Sequence, residues 1–159
     1  MKDSTELLDL AALVEGVVSE RVRTLSPDLQ LIVDVAANLS RILGVRGDLE
    51  RLVSALVELW LGAAGNGGVA LTVDHTEDRR GVRLEVRSTA IACSPRLDRG
   101  DALRTVIGVV GHHDATLRVA SDARGATRLE IVFPLARVTE RTARCRRPAP
   151  PLPRIRPIH

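Results

Sequence analysis

Aromatic side chains are almost missing from this chain of 159 residues, which has one tryptophan (Trp60), one phenylalanine (Phe133) and no tyrosine. Nucleic-acid bases are gripped largely by stacking on aromatic faces, so specific nucleic-acid binding is not expected. Cysteine is scarce too, with Cys93 and Cys145 the only two. Two isolated thiols make neither a disulfide framework nor a metal-ligand spacing, so no metal site is expected. Long apolar runs are absent. No window approaches the roughly 20 apolar residues of a membrane span, and MKDSTELLDL holds nothing fit for a secretory signal. The expectation is a soluble protein of the reducing cytoplasm.

What is present is aliphatic and charged. Hydrophobic residues make up 45% of the chain, which is long enough to bury the core of one domain. The net charge of +3 is unevenly placed. Residues 136–159 carry seven arginines against Glu140 alone, leaving 16 basic against 19 acidic residues in the remainder. The basic character belongs to the tail.

Hydrophobic periodicity orders the body. Asp9 caps a helix with Leu10, Leu13, Val14, Val17, Val18 and Val22 on one side. SPD (26–28) breaks it, and LQLIVDVA (29–36) alternates as a strand with Leu29, Leu31, Val33 and Val35 inward. LGV (43–45) is a short extended piece. Asp48 is expected to cap a second helix, whose stripe is Leu49, Leu52, Leu56, Leu59, Trp60 and Ala63, and GAAGNGG (62–68) ends it. VALTVDHT and GVRLEVRS form a hairpin around EDRR. Asp101 starts a third helix, and TLRVAS and RLEIVFPL form a second hairpin. The expected fold is a two-layer α/β sandwich, a mixed and mainly antiparallel sheet of about five strands covered on one face by about three helices. The domain spans 1–138, and residues 139–159 are an Arg/Pro-rich tail that cannot assemble a core and is expected to be disordered.

LDLAALVEGVV, GDLERLVSALVELWLGAA and the closing LRVASD…RGATRLEIVFPL together resemble the ATP-binding domain of sensor histidine kinases. The wider superfamily, the GHKL or Bergerat fold, includes type II topoisomerase and heat-shock-chaperone ATPases. The resemblance covers about residues 8–135 and implies the histidine-kinase-like ATPase fold. Its ligand motifs carry over position by position, as a degenerate ATP site formed by Glu58, Gly62, Ser88, Ala90, Ala92, Gly100, Ala102 and Thr127. In the family's second helix an acid or Asn handles the attacking group, and an Asn four residues on ligates Mg²⁺. Glu58 and Gly62 hold those positions, on one helical face. Glycine has no oxygen to offer a metal. Glu58 would be the catalytic residue of an active enzyme, and otherwise reads as a solvated helix position.

The family's D-x-G-x-G loop corresponds to Ser88, Ala90 and Ala92. The Asp would accept from the adenine amino group, and a hydrogen bond to a charged group contributes about 1.5–3 kcal/mol, or roughly ten- to a hundredfold in affinity. The phosphate-cradling G-x-G becomes Gly100, Asp101 and Ala102, and Asp101 reads as a helix cap that would repel phosphate. Thr127 matches a family threonine near the closing hairpin. Only CSPRLDR separates Ala92 from Gly100, too short for the usual ATP lid. With seven residues before Leu8, a phosphoacceptor hairpin is not expected. His112 and His113 close the third helix, where imidazolium suits the dipole, and their structural reading is preferred. His75 sits at a strand end and His159 in the tail.

The resemblance therefore implies a pseudokinase, a non-catalytic regulatory or protein-interaction module in two-component-type signalling. Its partner would be a signalling protein such as a kinase or response regulator, with a homodimer left open. Cofactors are not expected. The alternative is residual nucleotide binding, with ATP and Mg²⁺ held by Glu58, Gly100 and Thr127, in a histidine kinase or an anti-sigma-factor serine kinase. A third reading makes the tail the working part, through contact with anionic surfaces.

Overall fold

The computed structural model describes residues 4–24, 30–64, 68–88, 100–121, 123 and 127–135, with only the backbone of 61–64. The chain opens with a short strand, β1 (Glu6–Leu8), that the sequence did not suggest. Helix α1 (Leu10–Val22) follows, capped by Asp9, whose side chain accepts from the Ala12 N–H at 3.3 Å. Leu10, Leu13, Val14 and Val18 form its buried stripe. Strand β2 (Gln30–Val35) alternates as expected, and Leu31, Val33 and Val35 pack against the core. Leu29 lies outside the described residues.

Strand β3 (Ile42–Gly44) pairs antiparallel with β1, placing Leu8 opposite Ile42, both buried. Helix α2 (Arg46–Ala64) begins three residues earlier than a cap at Asp48 would have it. Asp48 is therefore not a cap but an acidic residue of the first turn, where the helix dipole favours it. Leu49, Leu52, Leu56 and Trp60 are fully buried, joined by Val53 and Val57. Ala55 and Val57, both buried, lie on the two flanks of the stripe, so α2 is apolar around more than half its girth. Such a girth suits a helix held between two others above a sheet.

Strands β4 (Gly68–His75) and β5 (Gly81–Ser88) form the first hairpin, and helix α3 (Asp101–His112) follows. Strands β6 (Thr116–Ser121) and β7 (Thr127–Pro134) form the second. The main sheet has five strands in the order β2-β4-β5-β7-β6, with β2 parallel to β4 and the other pairs antiparallel. One parallel pair requires a crossover, and α2 supplies it. The expected mixed, mainly antiparallel sandwich is thus observed, with the two-strand β1–β3 sheet beside it.

Val69, Leu71, Val73, Val82, Leu84, Val86, Leu129, Ile131 and Phe133 bury the inner face of the sheet. Its outer face is charged. Arg83 grips Asp74 with two hydrogen bonds, its Nε donating to Oδ1 at 2.8 Å. Glu85 and Glu130 stand directly opposite each other, and Arg128 and Arg118 approach them at 3.9 and 4.0 Å. Like charges in register are unfavourable, and the flanking arginines offset them. Among the described residues no helix is long and apolar enough to cross a membrane. Residues 136–159, with the expected tail, lie outside the described residues.

Candidate functional site

The outer face of α2 carries Arg46, Glu50, Arg51, Ser54 and Glu58, spaced so that they rise along one side of the helix. Helix α1 stands on one flank with Ala12, Gly16, Glu20 and Arg21. The first turn of α3 stands on the other with Asp101, Ala102 and Thr105, and the three helices enclose an open groove of about 800 Å³. Each arginine of its lining is engaged. Arg21 donates to Glu58 Oε1 at 2.7 Å, Arg46 to Glu6 Oε1 at 3.2 Å, and Arg51 to Asp48. Glu58 is thus bound across the groove to α1, a partnership the sequence reading missed because 37 residues separate the pair. An acid and a base on facing surfaces of adjacent helices was the available signal.

The upper end of the groove is built by the start of α3. Gly100 is the cap residue, with φ 142° and ψ 155°, a region essentially reserved for glycine. No side chain caps the first turn. Asp101 is therefore the first residue of the helix rather than the cap, and it lines the groove. Ser88 ends β5 on the helix-facing side, in line with Val82, Leu84 and Val86, and is 7% exposed. Thr127 begins β7, one step beyond the pairing of Arg87 with Arg128, and so lies at the same end as Ser88. Gly62 lies on α2 near its last turn, three residues before the connection to β4, whose Val69 pairs with Ser88. The structure thus gathers Glu58, Gly62, Ser88, Gly100, Ala102 and Thr127 at one end of the sandwich. Ala90, Ala92 and CSPRLDR lie outside the described residues.

The opposite end of the helical layer is held by histidines. His113 accepts the Val45 N–H on Nε2 at 3.1 Å, and its Nδ1 donates to the Val109 carbonyl at 2.9 Å. The first contact fixes the Nδ1–H tautomer. Its ring meets Phe133 edge-on, with centroids 6.4 Å apart. His112 Nδ1 lies 2.8 Å from Asp48 Oδ2. Burial alone would raise Asp48, but its hydrogen bonds with His112 and Arg51 outweigh this and hold its carboxyl below the usual range. Asp48, His112 and His113 are close enough together to suggest a metal centre. Both nitrogens of His113 are already committed to backbone groups, so the cluster reads as a latch tying the end of α3 to the start of α2. His75 also bonds locally, its Nε2 accepting from the Ser40 N–H at 3.1 Å.

No protein-family model matches the chain, and no curated protein does. Solved structures do. The mycobacterial sensor histidine kinase MprB superposes with a TM-score of 0.67 at 21% identity, over 82% of this chain and 97% of that one. The ATP-binding domain of PrrB from Mycobacterium tuberculosis gives 0.66 at 20% identity, over 83% and 98%. Full-length ShkA in complex with AMPPNP gives 0.69 at 16% identity, over 84% of this chain and 32% of that one. This is the fold of a histidine-kinase ATP-binding domain.

Proposed function

We propose that this histidine-kinase-like domain is non-catalytic and acts by protein contact in two-component-type signalling, in the cytoplasm, on a kinase or response regulator. One observation carries the reading. The end of β5 presents a buried Ser88, and α2 presents Gly62, where the resemblance calls for an adenine-binding acid and a magnesium-binding amide. A serine hydroxyl is a weak substitute for a carboxylate, and glycine offers no ligand atom at all. The charge of the groove supports the same reading. Its arginines are neutralised by acids, and Asp101 occupies the helix end where phosphate charge would be received. ATP and Mg²⁺ do not fit this donor set, and no chemical step is assigned to them.

Titration calorimetry of the full chain with Mg-ATP and with AMPPNP tests the proposal. No heat of binding is expected up to millimolar nucleotide; micromolar, metal-dependent binding overturns it. The glycine-only conformation of Gly100, on an uncapped helix that opens onto the groove, favours a second reading, residual nucleotide binding without turnover. Under that reading binding appears but does not depend on the metal.

A further inference from the structure

We propose that the groove over α2 is the docking site of the chain's own Arg/Pro-rich segment, residues 136–159, held in cis by Glu20, Glu50 and Asp101. The inference rests on the preceding reading, that this groove does not serve ATP, and gives it an occupant. The lining contains the arginines Arg21, Arg46 and Arg51 and the acids Glu20, Glu50, Glu58 and Asp101. Each arginine is held by a carboxylate, two of these belonging to Glu6 and Asp48 outside the lining. Among the lining acids only Glu58 is engaged. Glu20, Glu50 and Asp101 are exposed, and their carboxylates have no hydrogen bond or ion pair among the described residues. One comes from each of the three helices. The groove therefore offers its visitor carboxylates on every wall and no unneutralised cation.

Its shape suits an extended chain. Gly16 and Gly47 border open space, with nothing within 4 Å of an added Cβ. From Gly47 to Glu58 the groove runs about 17 Å at the helical rise of about 1.5 Å per residue. A polyproline-type strand advances about 3.1 Å per residue, so roughly six residues fill it. The segment 136–159 contains seven arginines, five prolines and a single acid. Proline stiffening lowers the entropy lost on docking.

The segment also departs from the right end of the molecule. β7 closes with Phe133 and Pro134, and Leu135 packs on the core with its N–H bound to Arg80. Phe133 abuts His113, and His113 holds Val45, the neighbour of Arg46 at the lower end of the groove. Arg141 to Arg147 follow Leu135 by six to twelve residues, a reach of roughly 20–40 Å for extended chain, enough to cover the groove. Attachment in cis supplies an effective concentration in the millimolar range, so weak contacts are enough. The competing charged surface, the outer sheet face, is cross-paired between Asp74 and Arg83, Glu85 and Arg128, and Glu130 and Arg118, and has little to offer a cation.

Cys145 allows a direct test. A nitroxide on Cys145 of the 159-residue Cys93→Ser chain reports which backbone amides the segment approaches. The amides of Gly16, Gly47 and Thr105 are expected to lose more than about half their intensity at low salt and to recover near ~0.5 M NaCl, where screening is short-ranged. The loss should vanish in the Glu20→Gln/Glu50→Gln/Asp101→Asn variant and, with the folded body untouched, in Arg141→Ala/Arg144→Ala/Arg146→Ala. Broadening that is absent, that falls on Arg118 and Glu130, that survives both variants, or that passes to a separate isotope-labelled copy overturns the inference. Titrating Mg-ATP into the tail-arginine variant separates the two readings. Nucleotide binding only there shows that the segment covers a working site, which sustains docking and overturns the non-nucleotide reading. Absent docking with absent nucleotide binding overturns docking alone.

Discussion

Replacing Gly44 by alanine adds one methyl group at the point where the histidine latch is tightest. An added Cβ would lie 3.0 Å from His113 Cδ2, 3.1 Å from His113 Nε2 and 3.0 Å from Leu49 Cδ1. Leu49 can shift the end of its side chain. The imidazole cannot swing away without giving up the Val45 N–H or the Val109 carbonyl. Overpacking of this kind costs about 1–3 kcal/mol, and a strained or lost backbone hydrogen bond adds about 1 kcal/mol. Gly44 has no positive φ, so alanine also restricts the unfolded chain and returns about 0.4–1 kcal/mol. The expected net loss is about 2 kcal/mol, or roughly 4–8 °C in Tm for a domain of this size. Urea unfolding followed by circular dichroism measures it. The decisive comparison is the same substitution in a His113→Ala background, where its cost should fall by at least about 1 kcal/mol. Equal costs in both backgrounds, or a stabilised Gly44→Ala, would refute the argument that the His113 ring is fixed.

Gly81→Ala should be worse than an ordinary strand substitution, at about 2–3 kcal/mol, because its Cβ would meet the Phe133 carbonyl oxygen at 2.8 Å, and backbone cannot yield cheaply; thermal unfolding reads this directly. The Asp48 carboxyl is held below its unfolded value of about 3.9, so its contribution is present above that pH and disappears as pH falls through the lowered native value. Stability of the natural chain should therefore drop more steeply below about pH 4 than that of Asp48→Asn, in urea midpoints taken from pH 2 to 6. Glu58→Ala breaks an ion pair whose side chains are 36% and 54% exposed, and should change stability by less than about 1 kcal/mol. A loss of several kcal/mol would show that the α1–α2 contact depends on it. Ser88→Asp with Gly62→Asn should raise nucleotide affinity by roughly ten- to a hundredfold if the pocket walls are otherwise intact, measured with labelled ATP analogue.

Most of the architecture was legible because the inward residues of each element are aliphatic and the outward ones charged. Alternation in VALTVDHT, GVRLEVRS and RLEIVFPL gave three strands with the correct face inward, down to Ser88 at the end of β5. β1 escaped because three residues make no period, and its partner β3 is equally short. The start of α2 was misplaced for a different reason. Asp48 has the composition of a cap, yet its carboxylate is bound by His112, 64 residues away, and by Arg51. A local rule cannot see a partner at that distance. The same limit hid the use of Gly44, whose missing side chain makes room for His113.

The candidate site divides along the same line. Which residues the resemblance aligns with the family's ligand motifs could be written down position by position, and the alternation of β5 brings residue 88 to the helical side. What surrounds those residues is a property of packed helices. Arg21 and Glu58 come from separate helices, and only the crossing of α1 over α2 joins them. Gly100 carries the opposite lesson. Its retention looked like a remnant, but φ 142° shows a backbone that no other residue adopts readily, so the turn into α3 constrains that position whether or not a phosphate ever binds. A retained motif glycine is thus weak testimony for retained chemistry. Ser88 differs from Gly100 in this respect, because it lies in ordinary strand geometry at the end of β5 and no positive φ dictates which residue stands there.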